Sequence, residues 1–353
     1  MINFTYIDSD IELQKAGEEW QRATVIGVDV ECENNLHHYG THLSLIQLST
    51  HDKNWIVDIL KIKQPKPILE LMENPKIQKI FHDVGFDLRI LNRDLKCRVH
   101  NIFDTQTAAL LLGKVEIGLG PLAKEYFGVE KEERFQMADW TRRPLTQEML
   151  EYATKDSAYL IKLRDILTAE LEKLGRVKWL EEHFAQLSEK DWEYKEPTFY
   201  DMKGLRDFSD RERAILKRLY ILREKLAERV DRPVHFVISN KKMKELAVSP
   251  PKTLAEWSSM RGVHPVVRAW AKVFFEEVNK GKRELLPLPV PIRKRLTPAQ
   301  RVLLKKISEK RDTLAAELKI PAHLIISKDQ MIQVVVSGTK GIHHWQKDLL
   351  QID

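Results

Sequence analysis

Asp29 and Glu31 lie two apart in VIGVDVECE, Asp87 sits in KIFHDVGFDLRIL, and Tyr152 and Asp156 lie four apart in EYATKDSAYL. Four carboxylates and one phenol, arriving from a strand and two helices, can converge on a pair of divalent cations. Two such ions cleave phosphodiesters by gripping both the attacking and the leaving oxygen. Side chains alternate across a strand, so Asp29 and Glu31 project from one face while Val28 and Val30 enter the core. Side-by-side carboxylates repel unless something positive lies between them. The alternative is that Glu31 already lies past the strand end, in solvent. Tyr152 and Asp156 share one face of a predicted helix, a pairing that also occurs in purely structural helices. Asp83, four residues before Asp87, is the competing helical carboxylate. Hard oxygen donors, without cysteine or clustered histidine, select Mg²⁺ or Mn²⁺ over zinc.

The elements that must carry these residues are legible from periodicity. FTYI reads as a short strand, and Ser9 with Glu12 forms a capping-box pattern opening a helix to about Gln21. TVIGVDV is a dense β-branched run, hence a buried strand, and LSLIQLST, NWIVDI, KIQKIFH and HNIFD read as further strands. Helices are expected from Pro67 to Met72, Val84 to Arg93 and Thr105 to Leu112. GLGPLAKEYFG should be a helix stopped by Gly128, and Leu145 to Leu174 one or two long helices. Strands first, then strands alternating with helices, predict a mixed α/β sheet flanked by helices. After about Lys195 the strand signals fade. EKDWEYKEPTFYDMKG reads as a linker, the pattern from Ser209 onward is helical, and LLPLPVPIRK should be a stiff, extended connector.

The helical half repeats itself. The segment beginning at Ala214 aligns without a gap with the one beginning at Val302, at an offset of 88 residues and with ten identities in 30 positions. These are two copies of one small helical domain. Charge divides the same way. Residues 1–200 hold 26 Lys+Arg against 34 Asp+Glu, and residues 201–353 hold the remaining 32 basic and 18 acidic residues. An acidic half suited to metal is joined to a basic half suited to a polyanion. No run approaches the roughly 18 apolar residues of a membrane helix, no secretory signal opens the chain, and two cysteines are too few for a disulfide framework. The cytoplasm is the expected compartment.

As a set, these motifs resemble the DEDD superfamily of 3′→5′ exonucleases, in its tyrosine-containing branch, and within it the ribonuclease D family. VIGVDVECENNLHHYGTHLSLIQLST is similar to that family's first motif. FHDVGFDLRIL is similar to the second, which implies Asp87 rather than Asp83. FDTQTAALLLG, ADWTRRPLT and YATKDSAYLIKL resemble the stretches leading to and containing the third. The repeated segments resemble HRDC domains, helical nucleic-acid-binding modules. The resemblance implies an α/β ribonuclease H-like exonuclease domain over residues 1–195 and a linker over 196–208. A first all-α HRDC domain follows over 209–283, then a Pro-rich linker over 284–296 and a second HRDC-like domain over 297–353. It further implies that Asp29, Glu31, Asp87 and Asp156 hold two Mg²⁺ or Mn²⁺ ions about 4 Å apart. Tyr152 then orients the attacking water and Glu31 touches the terminal 3′ hydroxyl. Nucleoside 5′-monophosphates leave one at a time from the 3′ ends of structured RNA such as tRNA precursors, and the protein acts as a monomer.

Alternatives share the same five residues. A DNA exonuclease would use them identically, although no helicase-type phosphate loop is present in the sequence. A binding protein with a dead nuclease site fits poorly with five intact side chains. Among other residues, His37 could contact substrate, against a solvated loop. Arg142 and Arg143, after Trp140, could hold a phosphate, against simple ion pairing. Cys32, His37, His38 and His42 fit no structural-zinc spacing. His235 and His323 are expected to pack in the core beside Pro233 and Pro321, and Trp345 to pack as well.

Overall fold

The computed structural model describes residues 2–130, 134–289 and 296–352, which fall into two compact units. One contains residues 1–31, 43–194 and 294–353, the other 32–42 and 195–293. Along the first come β1 (Thr5–Ile7), α1 (Asp10–Trp20), β2 (Val25–Asn34), β3 (Thr41–Ser49), β4 (Asn54–Asp58), α2 (Lys66–Glu73), β5 (Gln78–Phe81), α3 (Gly85–Leu95), β6 (Ile102–Asp104), α4 (Thr105–Leu112), α5 (Leu119–Phe127), α6 (Gln147–Ala158), α7 (Leu160–Lys173) and α8 (Val177–Glu189). The strands form one six-stranded sheet in the order β1-β4-β3-β2-β5-β6. β1 runs parallel to β4, β2 to β5 and β5 to β6, and β3 is antiparallel to β4. β2 is therefore central, as its apolar run requires.

Local chemistry explains the boundaries. Ser9 caps α1 by accepting from the Glu12 amide (3.5 Å) while its hydroxyl donates to the Glu12 carboxylate (2.7 Å). α5 stops at Gly128, which takes the left-handed conformation (φ 67°) that side chains resist. Residues 145–174 break into α6 and α7 at Tyr159. The sequence reading contains no helix over 177–189; Leu180 and Phe184 of α8 are buried there. Among the described residues no helix is long and apolar enough to cross a membrane.

In the second unit, α9 (Asp210–Val230), α10 (Val234–Val237), α11 (Asn240–Val248), α12 (Leu254–Ser258), α13 (Pro265–Ala269) and α14 (Ala271–Gly281) surround a core built on Leu216, Leu219, Trp257 and Phe274. The segment read as a linker is partly core: Phe199 and Leu205, on two short 3₁₀ turns, are buried in this cluster. Isolated apolar residues between turns carry no periodicity, which hid them. Of the Pro-rich stretch, residues 290–295 lie outside the described ones, and before it Leu286 donates its amide to Asp210 O (2.9 Å).

The repeat is visible element by element. α15 (Pro298–Leu318), α16 (Ala322–Ile325) and α17 (Lys328–Ser337) begin 88 residues after α9, α10 and α11, and α18 (His344–Leu350) follows. Asp231 and Lys319 end their helices in the same left-handed conformation (φ 46° and 55°), and Ser239 and Ser327 cap the next ones. His235 and His323, expected in the core, are exposed; Val237 and Ile325 fill it instead. A four-residue helix buries only one edge, and histidine takes the wet side.

The second copy packs within the first unit. The Arg176 guanidinium donates to Leu111 O (2.6 Å) and Leu318 O (3.1 Å), and Trp179 stacks on Trp345 (4.8 Å, 16°). His183 lies beside His343 (ring centroids 5.8 Å), and the His344 amide donates to Glu182 (2.7 Å). Burial, reinforced by His343 and Lys190, pushes the His183 pKa down to about 4. A group depressed in the folded state from an unfolded value near 6.5 binds fewer protons than the unfolded chain. Folding stability should therefore fall as pH drops from about 6.5 to about 4. Urea melts across that window should show this loss, and His183→Gln should reduce its slope; an unchanged slope contradicts the assignment.

Candidate active site

β2 continues through Asn34, so Glu31 is a strand residue and not the start of a solvated turn. Gly27, Asp29 and Glu31 share one face, and α6 lies against it. A Cβ on Gly27 would sit 2.7 Å from the Ser157 carbonyl oxygen and 3.3 Å from Leu160 Cβ. The missing side chain is what lets the helix backbone come so close. A buried hydrogen bond between the Ser49 and Ser157 hydroxyls (2.6 Å) ties α6 to β3.

That approach delivers Asp156. Carboxylate oxygens of Asp29, Glu31 and Asp156 come within 4.8 Å of one another, with Asp156 buried and the other two half-buried. Asp87 stands in the first turn of α3, also buried. Its pKa is raised well above the ordinary carboxylate value, first by burial, then by the negative charge of Asp29, with smaller contributions from Asp83 and Asp104. Asp83 is exposed, has φ 60°, and donates its amide to Asp104 (2.8 Å). Three carboxylates packed this closely, with Asp87 near enough to feel the charge of Asp29, are mutually destabilising without a cation, and their all-oxygen character suits a hard divalent ion.

Tyr152 is buried one turn before Asp156, against Phe135 (5.6 Å) and Trp140 (6.1 Å). The loop carrying Trp140 is held by an ion pair that the sequence did not disclose. Arg143 grips Asp58 through Nε (2.5 Å) and Nη2 (2.6 Å), and its Nη1 donates to Trp140 O (2.7 Å) and Arg142 O (2.8 Å). Tyr6 adds a bond to the same carboxylate (2.5 Å), which is 0% exposed. Arg143, considered for phosphate, is thus committed to the fold, because a buried carboxylate must be paired. Arg142 is exposed.

Glu33 was also missed. Fully buried, it accepts the amides of Leu36 (2.6 Å), His37 (2.8 Å) and His38 (3.3 Å), and His37 Nδ1 (3.2 Å). His38 donates from Nδ1 to Asp231 (2.6 Å) and His42 meets Tyr39 O (2.8 Å). These histidines brace the 32–42 hairpin.

Residues 4–172 match the 3′-5′ exonuclease family and residues 212–270 match the HRDC domain. Ribonuclease D of Pseudomonas paraeruginosa is 26% identical over 344 residues, covering 94% of this chain and 89% of that one. The chain thus joins a 3′-5′ exonuclease domain to an HRDC domain and is similar to ribonuclease D over nearly its whole length. The crystal structure of Escherichia coli RNase D, described as an exoribonuclease involved in structured RNA processing, aligns over 99% of both chains with TM-score 0.73 and 26% identity. The exosome complex exonuclease RRP6 of Saccharomyces cerevisiae is 27% identical over 325 residues, 86% of this chain. The chain spans only 28–44% of the length of that protein and the exosome component 10 relatives from Drosophila melanogaster and Rattus norvegicus.

Gly27→Ala should force α6 away from the ribonuclease D-type carboxylate cluster. We expect a loss of about 1–3 kcal/mol in folding stability and at least a tenfold drop in nuclease turnover of the folded fraction. Denaturation midpoints and mononucleotide release measure the two effects; wild-type values for both contradict this account of Gly27.

Proposed function

We propose that the protein is a divalent-metal-dependent 3′→5′ exoribonuclease acting on the 3′ ends of structured RNA of the tRNA-precursor type. The observation that carries this is the gathering of Asp29, Glu31 and Asp156, with Asp87 beside Asp29, on a chain similar to ribonuclease D. Two Mg²⁺ or Mn²⁺ ions, when bound, supply Lewis acidity at the phosphate and a hydroxide nucleophile near neutral pH. Asp29, Glu31, Asp87 and Asp156 hold them. Tyr152, fixed by Phe135 and Trp140, orients the attacking water through its hydroxyl. A free phenol titrates near 10, too high for a general base at neutral pH.

Glu31 contacts the terminal 3′ hydroxyl, which restricts attack to chain ends, and the product is a nucleoside 5′-monophosphate. Arg142, free of the ion pair that engages Arg143, contacts a substrate phosphate, and His37 faces substrate from its Glu33-braced loop. The strongly basic residues after 200 attract RNA, with the second helical copy acting as an HRDC-like module. The enzyme works as a cytoplasmic monomer.

Labelled single-stranded RNA and DNA of one sequence, incubated with Mn²⁺ or EDTA, test this reading. We expect stepwise 3′→5′ release of mononucleotides from RNA, abolished by EDTA and cut at least about 100-fold by Asp29→Asn. Preference for DNA, or release that survives EDTA, overturns it.

A further inference from the structure

A pocket of about 570 Å³ lies wholly within the second unit, between the 32–42 hairpin, the 196–202 segment and α9. This volume is in the range of small-molecule sites, about 300–1,000 Å³. Tyr39 and Tyr220 supply aromatic surface, and their positions are fixed. The Tyr39 hydroxyl lies on Glu224 and the Tyr39 amide donates to Asp231 (3.1 Å). Tyr220 donates to Pro197 O (3.0 Å) and carries the Arg223 guanidinium 5.0 Å from its ring centre. Arg223 is only 3% exposed; it donates to Asn240 Oδ1 (2.6 Å) and Glu224 Oε1 (2.9 Å), orienting both side chains. Its Nε has no hydrogen-bond partner among the described residues. Asn35 on the hairpin accepts the Gly40 amide (2.9 Å), which fixes its own amide plane at the rim.

The lining chooses the ligand. Glu196, Asp201 and Glu224 face the pocket, with Arg223 the only cationic side chain lining it among the described residues, so a phosphate is repelled. Aromatic faces, amide planes and carboxylates together suit a flat, neutral heterocycle offering N–H groups. Resting on the exoribonuclease reading above, we propose that this pocket receives an unstacked nucleobase bearing an exocyclic amine, within the RNA strand being degraded. Aromatic stacking is tolerant of base identity. The carboxylates are not, because an amine donates to them, whereas uracil's carbonyls on either side of N3–H meet them with like charge. The walls of this pocket are only partly repeated in the second copy. At the equivalent positions of the second copy Arg311 is kept, but Ser308 replaces Tyr220 and Lys328 replaces Asn240. The arginine and the acid beside it (Glu224, Asp312) are common to both copies; the tyrosine and the asparagine are not.

The test uses the full-length Asp29→Asn chain without divalent ions, and 5′-fluorescein uridine 12-mers carrying a single cytidine at successive positions. Anisotropy should show at least a fivefold gain in affinity over the all-uridine strand at one register. The cytidine-to-uridine ratio should fall below twofold in Asp29→Asn with Glu196→Gln and Glu224→Gln. A ratio below twofold at every position in the parent, or one that persists in the triple variant, overturns the proposal. Should the triple variant misfold, the positional scan in the parent alone decides. Mononucleotide release from the all-uridine strand by the wild-type chain with Mn²⁺, measured in parallel, separates the two readings. Release without positional discrimination sinks the pocket alone; absence of release sinks the exoribonuclease reading.

Discussion

How closely α6 can approach β2 governs everything else. The two elements meet at Gly27, where even one methyl group would intrude to 2.7 Å from a backbone oxygen. The contact sets the distance from Asp156 to the Asp29–Glu31 pair two and four residues further along the same strand face. It also creates the electrostatic problem of the site. Like charges held within a few ångströms in a half-dry cleft raise one another's pKa, and Asp87 is raised first by burial and then by Asp29. A fold that stabilises such a cluster by packing from behind, with Val28 and Val30 in the core and Ser157 bonded to Ser49, is one that can leave its front to a cation.

A second layer of constraint fixes the surroundings. Buried acids outside the carboxylate cluster do this twice: Asp58 pins the Trp140 loop through Arg143, and Glu33 gathers three successive amides at the hairpin. The hairpin then belongs to the same compact unit as the first helical copy, whose left-handed cap Asp231 accepts from His38 and the Tyr39 amide. The second copy uses the same corner differently. Lys319, the equivalent cap, presses its carbonyl against Gly113 where a Cβ would lie 2.4 Å away, and Arg176 reaches Leu318 O beside it. One repeat unit thus presents one corner in two docking arrangements, through the side-chain carboxylate at Asp231 and through the backbone carbonyl at Lys319.

Much of this was written in local patterns. The two-residue spacing of Asp29 and Glu31, the four-residue spacing of Tyr152 and Asp156, the glycine stop at 128 and the 88-residue repeat are all short-range or self-referential, and each reappears in the structure. What stayed hidden depends on long-range partners. Arg143 looked available for phosphate because Asp58 is 85 residues away. Glu33 looked like one more surface acid. Phe199 and Leu205 looked like linker because neither sits in a periodic run, and the exposure of His235 and His323 follows from helices of four residues each. Gly27 looks like any small residue of a strand, and its purpose appears only with Ser157 packed over it.

The most direct measurement is Mn²⁺ binding to the full chain in the absence of RNA, followed by electron paramagnetic resonance of the free ion. The account predicts two ions per chain at saturation and loss of both high-affinity sites when Asp29 and Asp156 are together replaced by asparagine in a protein that melts normally. A wild-type chain that binds no Mn²⁺ at millimolar concentration, or a double variant that binds two ions as before, would contradict it.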